Sequence, residues 1–140
     1  MEINELYLKT AFCCMACDGD IALKELELIR SYVSNNKLFS MVDVEKKLNE
    51  YVADINQHGI SFLNHYLKDI ANMSLIEIQE LNIVRIAIQM IEADNKIEYS
   101  EISFFKRIRL NLNISDATIL EDMPDKEDYL LPDIILKEYE

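Results

Sequence analysis

Ala87-Ile88-Gln89-Met90-Ile91-Glu92-Ala93-Asp94-Asn95-Lys96-Ile97-Glu98-Tyr99-Ser100-Glu101-Ile102-Ser103-Phe104-Phe105-Lys106 decides the fold. An apolar helical pattern runs into Asp94-Asn95, Ile97 and Glu101 follow, and a second apolar helical pattern leads away. The same grammar stands near the start of the chain. There Asp18-Gly19 leads to Ile21 and Glu25, between Phe12-Cys13-Cys14-Met15-Ala16 and Leu26-Glu27-Leu28-Ile29. Aligned on these turns, the two copies are identical at Ala11/Ala87, Asp18/Asp94, Ile21/Ile97 and Glu25/Glu101. Most other aligned positions keep apolar opposite apolar. Identity concentrated at the turn, where local chemistry is strictest, marks an internal repeat.

Outward from the two turns the chain reads helix after helix, with no period-two alternation long enough for a sheet. Helix one, expected over about 4–17, is apolar nearly all round in its second half and belongs in the interior. Gly19 suits the left-handed conformation that follows a helix. Helix two, about 23–36, turns Leu26, Ile29 and Val33 inward. Ser40 is the expected N-cap of helix three, about 41–57, whose stripe is Met41, Val44, Leu48, Tyr51 and Ile55. Gly59 stops that helix, and Ser61 is the expected cap of helix four, about 62–72, with Leu63, Tyr66, Leu67, Ile70 and Ala71 on one side.

Ser74-x-x-Glu77 reads as a capping box opening helix five, which runs to about 93. Leu75, Ile78, Leu81, Val84, Ala87, Ile88 and Ile91 face inward, and Ile83, Ile86 and Met90 widen the stripe until the helix must be central. Helix six, about 99–111, buries Ile102, Phe105, Ile108 and Leu112. Ser115 caps a short last helix, about 116–123, and Pro124 ends it. The fold class is therefore all-α: a single-domain bundle of about seven helices. Pairs one–two and five–six are related by a pseudo-twofold, with three and four inserted. Residues 1–123 form the helical domain. Residues 124–140 form an acidic and apolar tail. Its Leu130, Leu131, Ile134, Ile135 and Leu136 are too apolar for a free linker and are expected to dock.

Composition bounds the function. A chain of 140 residues holds one domain with one core, and half of it is hydrophobic. The formal net charge of −12 repels nucleic acid and anionic lipid and attracts cations or basic protein partners. No apolar run approaches the roughly 20 residues that span a bilayer. The opening Met1-Glu2-Ile3-Asn4-Glu5 has no basic signal-peptide region, so a cytoplasmic protein is expected. Cys13, Cys14 and Cys17 sit in one apolar helix, against a disulfide framework, and read as buried small hydrophobes. A structural zinc site wants four ligands, and no second cysteine pair exists. His58 and His65 lack a nearby nucleophile signature, and two glycines build no phosphate loop. No enzyme is expected.

The repeated turn carries the chemistry. Asp-Gly-x-Ile-x-x-x-Glu has the spacing of the second half of a calcium-binding EF-hand loop, with Asp18, Gly19, Ile21 and Glu25 at loop positions five, six, eight and twelve. Positions one and three then fall on Cys14 and Ala16, and in the second copy on Met90 and Glu92. Ca²⁺ needs about six to eight oxygens, so neither loop makes an ordinary EF-hand site. Geometry explains the recurring residues without any ligand. Glu25 and Glu101 fall at the third position of their helices, where a carboxylate reaches back to the N-cap amide. Asp18 and Asp94 accept amides of the turn, and Ile21 and Ile97 plug the gap between paired helices. A functional reading stands beside this one. If the pseudo-twofold brings both turns to one end, Asp18, Asp20, Glu25, Glu92, Asp94, Glu98 and Glu101 gather there. Crowded carboxylates raise each other's pKa unless a cation sits among them.

Ala16-Cys17-Asp18-Gly19-Asp20-Ile21…Glu25 and Glu92-Ala93-Asp94-Asn95-Lys96-Ile97…Glu101 resemble the TerB-like family of tellurite-resistance proteins. Leu112-Asn113-Ile114-Ser115-Asp116 is similar to that family's closing turn before its last helix. The resemblance covers about residues 5–123. It implies an all-helical, non-enzymatic module linked to metal or oxyanion stress, to membrane-associated complexes and to co-chaperone fusions. It also implies an acidic metal site for a divalent cation, Ca²⁺ or Mg²⁺, falling here on Asp18, Glu25, Asp94 and Glu101. Two residues depart from the family pattern: Asn95 stands where Gly is expected, and Ala22 replaces a good N-cap. The alternative is a protein-interaction module that uses the acidic surface or the tail and binds no metal.

Overall fold

Helices α1 (Ile3–Met15) and α5 (Glu77–Ile91) lie against each other at the centre. Both are apolar on nearly every side, so both have to be surrounded. Leu6, Leu8, Ala11 and Phe12 of α1 and Ile83, Ile86, Ala87 and Ile91 of α5 are completely buried. The computed structural model describes residues 1–131, whose regular secondary structure is all helical, with no strand among them. Around the central pair stand α2 (Leu23–Ser34), α3 (Val44–His58), α4 (Ile60–Asn72), α6 (Tyr99–Leu110) and α7 (Asp116–Asp122). Two 3₁₀ turns, Lys37–Phe39 and Glu127–Leu130, complete the set. Helix α1 also touches α2, α3, α4 and α6, while α7 packs on α5.

A single apolar core runs through these helices. Phe12 stands between Tyr51 of α3 and Phe62 of α4, with ring centroids 5.4 and 5.6 Å away. Buried polar groups on the central pair are paired: Thr10 with the Tyr66 hydroxyl at 2.6 Å, and Asn82, which donates to the Tyr7 hydroxyl at 3.1 Å. No helix among the described residues is long and apolar enough to cross a membrane.

Several helix starts differ from expectation, each for a local reason. Helix α3 begins at Val44, because Asp43 Oδ1 accepts the Lys46 amide at 3.3 Å and caps it. Ser40 instead closes the 3₁₀ turn, and Met41, expected inside, lies outside the helix and exposed. Gly59, at φ +55°, is both the end of α3 and the start of α4, so Ser61 lies within α4 and caps nothing. Ser74 does not open α5. The helix starts at Glu77, and Gln79 Oε1 accepts the Ile76 amide at 3.0 Å, about two residues later than the expected box. Ile78, expected inside, lies in the first turn of α5 and is exposed. Ala71, at the end of α4, is exposed too. At α7 the expectation holds: Ser115 Oγ accepts the Thr118 amide at 3.1 Å.

The beginning of the tail is docked. Tyr129 is buried with its ring edge-on to Phe105, centroids 5.5 Å apart, and Leu130 packs partly against the core. Ile134, Ile135 and Leu136 lie outside the described residues.

Candidate functional site

Each turn is built by the same hydrogen bonds. The Asp18 carboxylate accepts the Asp20 amide at 3.2 Å, and Asp94 accepts the Lys96 amide at 3.1 Å. Glu25 Oε1 accepts the Ala22 amide at 2.8 Å, and Glu101 Oε1 accepts the Glu98 amide at 2.8 Å. The carbonyls of Ala16 and Glu92 receive the amides of Gly19 and Asn95. Gly19 adopts φ +91° and Asn95 φ +60°, the left-handed region. Asn tolerates that region better than other side-chain-bearing residues, which accounts for its standing where Gly was expected. Ala22 has no side-chain acceptor, so α2 is capped by Glu25 alone.

The two turns meet. Asp18 and Glu25 from one, and Asp94, Glu98 and Glu101 from the other, line a single cleft of about 60 Å³. Cys17 and Ser100 stand in its wall, the Cys17 thiol directed at the Ser100 hydroxyl at 4.0 Å, so the two halves touch there. No lysine or arginine lines the cleft. Lys96 reaches Glu98 at 3.6 Å from an exposed position on the rim. All four residues expected to form a metal site therefore share one small space. Asp20 and Glu92, expected nearby, are engaged otherwise: Asp20 accepts the Ile21 amide at 2.8 Å, and Glu92 is held by Lys126 and Tyr129. Ile21 packs against the core as expected of a plug, whereas Ile97 is exposed and plugs nothing.

Burial and crowding raise two of the carboxylates, Glu101 and Glu25. The Glu101 carboxyl is pushed up to about 7, first by burial and then by the charges of Asp94, Glu98 and Glu25, against the opposing effect of the Glu98 amide. Glu25 is raised as well, by burial and by Asp18, Asp20 and Asp94. Burial lifts the Cys17 thiol to about 11, so it is protonated at neutral pH. Sequence reasoning missed Cys17 as part of this wall. Its position next to Asp18 was the available signal.

As a donor set for a cation the cleft supplies hard oxygens, suited to Ca²⁺ or Mg²⁺. One oxygen of Glu25 and one of Glu101 are committed to their N-cap amides, leaving the second oxygen of each for another partner. Among the described residues no three His, Cys, Asp or Glu side chains converge closely enough to hold one ion. A cation there has to draw Asp18, Glu25, Asp94 and Glu101 inward by side-chain rotation. Compared with protein-family models, curated proteins and solved structures, the chain gives no match.

Proposed function

We propose that this chain is a non-enzymatic, TerB-like helical module of the stress response. In this reading Asp18, Glu25, Asp94 and Glu101 take up a divalent cation, Ca²⁺ or Mg²⁺, with weak affinity. The observation that supports the reading best is the meeting of five carboxylates in one cleft without a lysine or arginine in its lining. Such a cleft relieves its repulsion by taking a proton or a cation. The raised Glu101 carboxyl is the protonated solution, and cation binding is the competing one. The module is expected to work in the cytoplasm.

Titration calorimetry of Ca²⁺ and of Mg²⁺ into the wild type and the Asp18→Asn/Asp94→Asn variant tests this. Saturable heat in the wild type that disappears in the variant supports the site, and its absence from both refutes it. A second reading is supported by the exposed Leu23, Ile97 and Tyr99, at or beside the N-terminal ends of α2 and α6 that flank the acids. An acidic cleft with an apolar border suits a basic, aliphatic segment of a protein partner. A lysine-rich amphipathic peptide in the same calorimeter separates the two readings, because it binds under the second and not under the first.

A further inference from the structure

The two turns share their internal hydrogen bonds and differ in what holds them from outside. In the first, the carbonyl that receives the Gly19 amide belongs to Ala16, which has no polar side chain. In the second, the carbonyl that receives the Asn95 amide belongs to Glu92, and the Glu92 side chain is gripped by the segment after α7. Lys126 Nζ reaches both carboxylate oxygens, at 2.8 and 2.9 Å, and the Tyr129 hydroxyl donates to Oε2 at 2.9 Å. The pair is partly shielded, with side-chain exposures of 23% for Lys126 and 34% for Glu92, so it is stronger than a fully solvated ion pair. The Tyr129 ring seats against Phe105 of α6, the helix that carries Glu101. Burial raises the Tyr129 phenol, and the hydrogen bond and charge of Glu92 and the charge of Glu101 add to the rise.

We infer that residues 124–131 are a latch on the second turn: Lys126 and Tyr129, by holding Glu92, fix the turn that presents Asp94 to the cleft. One residue ties both parts, since the Glu92 side chain holds the strap and its carbonyl holds the turn. Asn95 sits at φ +60°, a conformation that Asn tolerates better than other side-chain-bearing residues but that is still less favourable than for Gly19, so the second turn has more to gain from an outside hold. Removing the partners of Glu92 leaves a half-buried carboxylate uncompensated, which costs more than the bonds themselves and drives the turn open. Anything that lifts the strap, such as a partner competing for residues 126–129, loosens one half of the cleft and leaves the other intact.

Amide exchange by NMR, without divalent cation, tests the latch in the Lys126→Met/Tyr129→Phe variant. Both substitutions keep the apolar bulk of the strap. The Asn95 amide is expected to exchange about tenfold faster than in the wild type, the ratio that corresponds to about 1.4 kcal/mol. The Gly19 amide, which makes the same bond in the turn without a latch, is expected to be unchanged. An unchanged Asn95 amide overturns the inference. So does equal acceleration of both amides, which would mark general destabilisation. The result is independent of whether the cleft binds a cation, because none is present.

Discussion

Glu101 concentrates the chemistry of the site in one side chain. Its carboxyl lies at about 7 in the folded protein against 4.5 ordinarily. The folded state thus keeps a proton that the unfolded chain has already released between those values. The stabilisation is complete below the unfolded value and is lost as pH rises through about 7. Each pH unit between the two values corresponds to at most about 1.4 kcal/mol, and with solvent screening of the partly accessible carboxyl the group should cost the wild type on the order of 1–2 kcal/mol between about pH 5 and about pH 8. Glu101→Gln keeps an acceptor for the Glu98 amide and carries no charge. Urea unfolding across this range should show a flatter pH dependence in the variant, and parallel curves for the two proteins would contradict the assignment. That Glu101 caps its helix was legible from its spacing after Asp94. Its burial was not, because burial depends on how the first turn packs against the second.

At the scale of the element, α5 shows why helix starts were harder to read than helices. Its apolar faces fixed its central place, yet the Ser74 capping signal pointed about two residues too early, and Gln79 won because it reaches the Ile76 amide. Sequence reasoning also passed over Glu80. This carboxylate is buried on α5, and one of its oxygens accepts the amides of Asn113 at 2.7 Å and Ile114 at 2.8 Å. It grips the loop between α6 and α7, and a carboxylate within so apolar a helix was the signal for it. Glu80→Ala orphans two amides and should cost about 2–4 kcal/mol in urea unfolding. Glu80→Gln keeps the accepting oxygen and should recover at least half of that. Equal losses in both variants would show that the charge, and not the acceptor, holds the loop.

For the whole molecule, the all-helical class, the order of the helices and the central place of α1 and α5 follow from apolar patterning, because a helix without a polar face has to be surrounded. The meeting of the two turns in one cleft was a conditional expectation from the repeated grammar, and the folded chain brings Asp18, Glu25, Asp94 and Glu101 to line the same space. What patterning could not convey is the latch on Glu92, which joins residues far apart in the chain through a lysine and a tyrosine of no distinctive motif. The central claim is that the cleft resolves its crowded charge with a divalent cation. Thermal unfolding at fixed ionic strength, in EDTA and then in excess Ca²⁺ or Mg²⁺, tests it in the wild type and in Asp18→Asn/Asp94→Asn. Fixed ionic strength matters because a chain of net charge −12 gains from any cation by screening. A ligand at about 100 times its dissociation constant adds about 2.7 kcal/mol, which raises the midpoint by several degrees in a domain of this size. The account predicts that rise in the wild type and its loss in the variant, and an equal rise in both proteins, or none in either, would contradict it.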